Sequence, residues 1–154
     1  MVSPYYNQNY TKKQIAAVLK VIKECVEANR YTISQGQNRQ ENLDLINEYN
    51  LRSQKQKEIL LSISVEDFCH TLKNTKAGFE HEILYVFVPQ AELYNALGEA
   101  ETVDIYTKFN ELELDSGKRV IVISFRGWCL SSGEHQPHIR YLLCSFHKIL
   151  FFLP

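Results

Sequence analysis

The chain has 154 residues, of which 45% are hydrophobic and 23% are charged, and its formal net charge is -1 at pH 7. This composition is typical of one globular domain and argues against wholesale disorder. The near-neutral charge gives no support to a broadly basic nucleic-acid binder, although it leaves room for a local basic patch.

Targeting features are lacking from the sequence. It shows neither a secretory signal nor an apolar run approaching the ~20 residues that span a bilayer. The four cysteines are scattered without a recurring motif. We therefore expect a cytoplasmic protein with reduced thiols, no membrane partner and no cofactor.

The first half of the chain predicts α-helices. Thr11–Gln14 fits a capping box, and apolar residues at helical spacing follow it from Ile15 to Val26. A similar capping pattern at Ser53–Gln56 precedes another apolar run, and Ser64 is a candidate cap for a last helix. The expected helices span residues 11–29, 38–50, 53–63 and 65–73, with a short strand or an extended connector at 31–33.

The second half predicts β-strands. Six apolar residues at 83–88 precede Pro89, and this length favours a strand over a helix. Residues 102–112 alternate between apolar and polar side chains, which is the pattern of a strand with two different faces. Val103, Ile105, Thr107 and Phe109 are expected on one face, and Asp104, Tyr106 and Lys108 on the other. Residues 90–101, between the two strands, predict a connector.

A turn at 115–118 predicts a return strand over 119–126, antiparallel to the strand before it. Strict alternation places Ile121, Ile123 and Phe125 on one of its faces, and Val120, Val122, Ser124 and Arg126 on the other. Because helices come first and strands later, the expected fold is α+β, with N-terminal helices packed on a small C-terminal antiparallel sheet. We assign residues 1–126 to one domain and 127–154 to an extension whose composition does not match the rest.

Tyr106 is the first candidate for function. It lies between Asp104 and Lys108, where a phenol can orient a phosphate or exchange a proton and a lysine can hold anionic oxygens. An ordinary solvated strand face gives the same pattern. Arg126, which ends the return strand, is a candidate for stabilising charge on a phosphate through paired hydrogen bonds, or alternatively a solvating residue at a strand end.

A second group of titratable residues surrounds the first strand of the expected sheet. His70 lies near the end of the last expected helix, and Glu80, His81 and Glu82 precede the strand. Because histidine titrates near neutral pH, imidazole and carboxylate at the sheet edge could act as general acid and base beside Tyr106. Alternatively, Glu80 and His81 are loop residues and His70 is partly buried.

Two weaker patterns are a set of zinc-type ligands and a basic cluster. The zinc-type ligands in the last segment match no common finger spacing, so we expect no metal site. They are Cys129, His135, His138, Cys144 and His147. The basic cluster of Arg52, Lys55 and Lys57 at a helix start either forms a solvated face or contacts an anionic partner.

Four segments together resemble a family, the motility quorum-sensing regulator (MqsR) toxins of the RelE/ParE superfamily. The segments are Leu60–Phe68, Leu84–Pro89, Ile105–Phe109 and Val120–Arg126. The resemblance covers about residues 55–126. It implies a RelE-like fold and a bacterial type II toxin that cleaves mRNA without metal, using the RNA 2′-hydroxyl as nucleophile, and that is inhibited by an antitoxin protein.

The resemblance also implies roles for single positions. The strand tyrosine of the family falls on Tyr106, within Tyr-x-Lys, and the basic residue that closes the last strand falls on Arg126. A basic residue two places after Asp-Phe falls on His70, and a family glutamine falls on Glu82, so two positions depart from the pattern. Glu82 or His70 would then take the 2′-hydroxyl proton.

The same resemblance gives an RNA-binding surface and leaves two functions open. Lys108, His81 and Lys73 are expected to contact the RNA. The first hypothesis is a metal-independent endoribonuclease, an mRNA interferase toxin paired with an antitoxin. The alternative is a catalytically inactive RelE-like module that binds a protein partner only, which the net acidity and the carboxylate at Glu82 favour.

Overall fold

The structure, a computed structural model, describes residues 6–128. These residues form three α-helices and seven β-strands. The helices are α1 (Lys12–Glu27), α2 (Gln40–Glu48) and α3 (Ser53–Ser62). The strands are β1 (Tyr6–Asn7), β2 (Tyr31–Ile33), β3 (Phe68–Lys73), β4 (Ile83–Phe87), β5 (Gln90–Tyr94), β6 (Ala100–Leu114) and β7 (Gly117–Gly127).

The first three predicted helices are confirmed. The Gln14 N–H donates to the Thr11 hydroxyl at 3.2 Å, and the Thr11 N–H donates to Gln14 Oε1 at 2.8 Å, so α1 begins with the expected capping box. A 3-10 turn at Gln37–Arg39 precedes α2, which therefore begins two residues later than the predicted start at 38. The short segment at 31–33 is a strand rather than a connector.

The predicted helix over residues 65–73 is wrong. The capping box of Ser64 and Asp67 supports only one 3-10 turn, Val65–Asp67, and the chain then becomes β3. β3 lies between β1 and β4 and pairs antiparallel with both. Pairing on two sides fixes the extended backbone here and overrides the local helix signal, because strand preference depends strongly on context. His70 consequently lies on a strand, not at a helix end.

The α+β class is confirmed, but the prediction of a small, purely antiparallel sheet is wrong. The strand order in the sheet is β1-β3-β4-β6-β7-β2, and β5 also pairs with β6. β2 lies at one edge of the sheet and runs parallel to β7. The sheet therefore contains seven strands and both kinds of pairing.

β4 and β5 act as one long strand with a break at Val88–Pro89. Leu84 pairs with Asn110 and Tyr94 pairs with Ala100, so both strands keep one register against β6. Proline has no N–H to donate, and the Val88 N–H turns away to the Asp67 carbonyl at 2.8 Å. The predicted connector over 90–101 is therefore wrong for most of its length: it contains β5, the turn of a hairpin and the first two residues of β6.

A β-bulge in β7 changes the predicted faces of that strand. Lys108 pairs with Ser124, whereas the next residue, Phe109, pairs with Val122, so Ile123 is the extra residue. Val120, Val122 and Phe125 all face the core as a result, and each is fully buried. The strict alternation that grouped Val120 and Val122 with Arg126 is therefore wrong, since one inserted residue reverses the faces beyond it.

All three helices contribute to one hydrophobic core on one face of the sheet. The sheet contributes large buried residues that contact Ile15, Leu45 and Leu60 from the helices; among them are Phe87, Ile105, Phe109 and Phe125. We call the opposite side of the sheet the distal face. Its central residues are His70, Val86, Tyr106, Lys108, Ser124 and Arg126, which are cross-strand neighbours on β3, β4, β6 and β7.

Candidate functional site

Tyr106 and Arg126 are paired residues on the distal face. They are direct cross-strand partners of β6 and β7. The Arg126 guanidinium carbon lies 4.7 Å from the centre of the Tyr106 ring, and the Trp128 ring meets the same ring edge-on at 5.1 Å. A guanidinium over an aromatic face is a favourable contact that also holds the cation in place. The structure therefore brings together the two residues that the sequence singled out first.

The phenol of Tyr106 keeps its proton over the physiological range. Burial raises the pKa of Tyr106 to about 12, although the Arg126 charge lowers it, and Tyr6 and Cys69 add smaller upward contributions. The hydroxyl can therefore donate a hydrogen bond or a proton, but it does not serve as a base at neutral pH.

Arg126 has a partner that the sequence did not reveal. Its Nη1 lies 3.1 Å from Glu41 Oε2, on α2, and both side chains keep substantial exposure, 40% and 68%. Such an exposed pair contributes little to stability. The carboxylate occupies a position beside the guanidinium where an oxygen of a bound phosphate would also bind.

The bulge and α2 explain why Arg126 lies on this face. Beyond Ile33, β2 no longer covers the edge of β7, and the Asn42 side chain takes its place. Its amide nitrogen donates to the carbonyls of Ser34 and Ile123 at 2.8 and 3.1 Å, and its oxygen accepts from the Phe125 N–H at 2.9 Å. Asn42 is 1% exposed, so its hydrogen bonds fix the bulge in a buried site.

Lys108 lies two residues from Tyr106 on the same face of β6, and it also lines a cavity of about 650 Å³. The cavity is lined by four basic side chains, and we call it the basic cavity: Arg39, Lys73, Lys76 and Lys108. Burial lowers the pKa of Lys108, and the neighbouring charges of Arg39 and Arg126 lower it further. A half-buried lysine among like charges indicates a surface that attracts anions.

His70 lies in the same cross-strand row as Lys108. It pairs with Val86, which in turn pairs with Lys108, so two strand spacings, about 10 Å, separate the two backbones. The His70 ring stands 4.7 Å from the Tyr6 ring. His70 is therefore on the distal face with Tyr106, but β4 separates it from the strand that carries Tyr106.

The structure does not bring Glu82 to this neighbourhood. Its Oε2 accepts hydrogen bonds from the side-chain amides of Asn74 and Asn110, both at 2.8 Å. Asn110 is four residues along β6 from Tyr106, which corresponds to about 13 Å in a strand. Glu82 therefore fixes the loop between β3 and β4. His81 is exposed in that loop, and Lys73 ends β3 at the basic cavity.

Sequence reasoning missed Glu41, Asn42, Arg39 and Lys76 as parts of this region. They lie on a 3-10 turn, a helix and a loop that are distant in sequence from Tyr106. Only the parallel pairing of β2 with β7 brings α2 to the sheet edge, and nothing in the local pattern predicts that pairing.

Within residues 6–128, no three side chains of His, Cys, Asp or Glu are arranged to hold a metal ion. No helix in the same range combines the length and the apolar character that crossing a bilayer requires. The zinc-type ligands at 129–147 and most of the 127–154 extension lie outside the described residues, whereas Gly127 belongs to β7 and the Trp128 N–H donates to the Asp104 carbonyl at 2.7 Å.

Comparison of the chain with protein-family models, with curated proteins and with solved structures gives no match. The resemblance to the MqsR toxins therefore stays a prediction from the sequence. Any function must be argued from the geometry of the distal face.

Proposed function

We propose that the chain is a metal-independent endoribonuclease of the toxin type, with a RelE-like fold, that cleaves mRNA at the Tyr106–Arg126 pair. The observation that carries the proposal is the position of a guanidinium against a protonated phenol, with Lys108 two residues away on the same face. The two cations can stabilise charge on the phosphate and the phenol can donate a proton to the leaving oxygen, which are two of the functions that phosphodiester cleavage by the 2′-hydroxyl uses, besides a base.

The proposed reaction is an internal displacement at phosphorus. The 2′-oxygen attacks the phosphate and loses its proton to a base, while the bond from phosphorus to the 5′-oxygen breaks. The products are a 2′,3′-cyclic phosphate and a 5′-hydroxyl, so no water or redox partner is consumed. Arg126 and Lys108 stabilise the charge on the five-coordinate phosphorus, and Tyr106 donates its proton to the departing 5′-oxygen.

We assign the role of base to His70 rather than to Glu82. His70 lies on the distal face beside Tyr6, and imidazole accepts a proton near neutral pH. Glu82 Oε2 already accepts hydrogen bonds from the side-chain amides of Asn74 and Asn110, so its carboxylate is engaged in holding the loop between β3 and β4. Glu41 is closer to Arg126, but its pairing with that cation makes it a competitor for the phosphate position rather than a base.

The RNA and antitoxin partners belong to the same proposal. The basic cavity and the half-buried rings of Tyr106 and Trp128 suit a single strand, because bases can stack on aromatic rings while lysines contact phosphates. An antitoxin that covers the distal face with acidic side chains would inhibit by occupying the same cations.

The test is cleavage of a labelled single-stranded RNA by the full chain, with and without a chelator. We expect cleavage in both conditions and a rate at least about 100-fold lower for Tyr106→Phe and for Arg126→Ala. Tyr94→Phe and Arg52→Ala are matched controls, because both residues are exposed and lie away from the distal site. Cleavage that a chelator abolishes, or that ignores both site variants, would contradict the proposal.

The second candidate is a binding module without catalysis. It is favoured by the Glu41 carboxylate beside Arg126 and by the structural role of Glu82. Controlled expression in bacterial cells distinguishes the two functions. An mRNA-cleaving toxin arrests growth and the Tyr106→Phe variant relieves the arrest, whereas a binding module is tolerated in both forms.

A further inference from the structure

The basic cavity collects cations from four separate elements. Arg39 comes from the 3-10 turn before α2, Lys73 from the end of β3, Lys76 from the following loop and Lys108 from the middle of β6. Among the residues from the described 6–128 range that line it, none is acidic, and the polar ones are Ser34, Asn74 and Thr75. An arrangement of like charges without carboxylates is destabilising in isolation and becomes favourable when an anion binds.

Lys108 connects the cavity to the proposed cleavage site. Lys108 lines the cavity and lies two residues from Tyr106 on the same face of β6, a separation of about 6.7 Å. This separation is comparable to one nucleotide step of an extended strand. A phosphate at Tyr106 and Arg126 therefore leaves the adjacent phosphates of the same strand at the cavity.

The walls of the cavity also favour a single strand. Tyr6 lines the cavity, and its side chain is 47% exposed. Leu72 and Leu84 form an apolar part of the cavity wall. An exposed phenol ring beside lysines can stack with an unpaired base while the lysines contact the backbone. A double helix keeps its bases stacked inside and would not use these walls.

We propose that the basic cavity is a phosphate subsite that binds the backbone of single-stranded RNA next to the cleaved bond. The assignment of the cleaved bond rests on the function proposed above, whereas the binding of the strand does not. Free polyphosphates, such as those of nucleotides, share the same chemistry of adjacent phosphate groups. The cavity is assigned to a polynucleotide because Lys108, which lines it, lies two residues from Tyr106 on the same face of β6, and because the exposed Tyr6 ring lines it as well.

The test compares two double variants of the full chain. Lys73→Gln with Lys76→Gln removes two exposed charges at the cavity, and Lys13→Gln with Lys55→Gln removes two exposed charges elsewhere. Binding of a labelled single-stranded RNA is measured against salt concentration in a Tyr106→Phe background, so that cleavage does not interfere. Each lost phosphate contact reduces the slope of log affinity against log salt by about 0.7.

The cavity variant is expected to bind RNA about tenfold more weakly and to reduce the salt slope by about 1.4, while the control pair changes neither.

With Tyr106 restored, the cavity variant should cleave a long RNA with a raised KM but a dinucleotide with unchanged efficiency. An unchanged salt slope, equal effects of the two pairs, or displacement of the RNA by inorganic pyrophosphate at concentrations comparable to the RNA itself would overturn the proposal. Full binding effects without any cleavage would instead sustain the cavity and refute only the nuclease.

Discussion

The two faces of β6 differ in what their side chains have to do. Toward the helices, Phe109 and Ile105 are fully buried, and the Thr107 hydroxyl donates to the Phe87 carbonyl at 2.7 Å. On the distal face, Tyr106 and Lys108 are half-buried and both have shifted pKa values. One strand thus carries a face that is packed in the hydrophobic core and a face of partly exposed polar and charged side chains. We therefore expect stability to depend mainly on the first face and the proposed function on the second.

The largest expected effect comes from the helix face. Phe109→Ala removes a fully buried ring that contacts Phe87 at 5.9 Å between centroids, so we expect a loss of about 4 kcal/mol in the free energy of unfolding. Tyr106→Phe, on the opposite face, keeps its ring contacts and should cost less than about 1 kcal/mol. Denaturant unfolding measures both. Equal losses of unfolding free energy from the two variants would contradict the expectation that the helix-facing side of β6 contributes more to stability than the distal face.

The edge of the sheet gives the next largest effect. Asn42→Ala deletes three hydrogen bonds of a buried side chain to β7 and to Ser34, so we expect a loss of about 2–3 kcal/mol in the free energy of unfolding. Cleavage should also fall under conditions where the variant stays folded, because the bulge that directs Arg126 is no longer fixed. Asn47→Ala, on the exposed side of the same helix, is the control. If Asn42→Ala retains full activity, Arg126 does not depend on the bulge.

Lys108 should show opposite effects on stability and on binding. Burial and the charges of Arg39 and Arg126 lower the pKa of Lys108, so the folded protein releases this proton at a lower pH than the unfolded chain. The charged lysine therefore costs stability at neutral pH, and stability rises as the pH increases through the lowered pKa toward the ordinary value of about 10.4.

Lys108→Met should accordingly raise the free energy of unfolding by less than about 1 kcal/mol at neutral pH while weakening RNA binding. Thermal unfolding and a binding titration on the same sample provide the two numbers. A variant that is both less stable and equally good at binding would contradict the account of Lys108.

The smallest expected effect is at Glu41. Glu41→Gln removes the carboxylate 3.1 Å from Arg126, so RNA affinity should rise about threefold at low salt. Stability should change by less than about 0.5 kcal/mol, since the pair is exposed. Glu48→Gln on the same helix removes an equal charge away from Arg126 and should leave affinity nearly unchanged. Weaker binding by Glu41→Gln would mean that this carboxylate assists the RNA.

The sequence was sufficient for part of this fold and insufficient for the rest, for physical reasons. The alternation of β6 fixed its two faces, because side-chain direction in a strand is a local property. The faces of β7 depend on the bulge at Ile123, which arises from pairing with β6 and from Asn42 and leaves no local signal. The helix expected at 65–73 became β3 for a similar reason, since its partners β1 and β4 lie elsewhere in the chain.

The residues of the candidate site likewise fall into those that the sequence predicted and those that it did not. Tyr106 and Lys108 were predictable from the alternation of β6 and Arg126 from its place at the end of the return strand, and the structure places the three on one face. The expected approach of Glu82 assumed that the loop before β4 reaches the middle of the sheet, whereas its amide partners hold it near Asn110. Arg39 and Lys76 join the basic cavity only through tertiary structure, so no spacing in the sequence marks them.

The most direct measurement of the central claim is the chemistry of the RNA ends. A defined single-stranded RNA is incubated with the purified full chain in the presence of chelator, and the products are identified by mass spectrometry. The distal face of Tyr106, Arg126 and Lys108 predicts a 2′,3′-cyclic phosphate and a 5′-hydroxyl, and a 2′-deoxy substitution at the cleaved position should abolish the reaction. Products with a 5′-phosphate, or cleavage that tolerates the 2′-deoxy position, would contradict it.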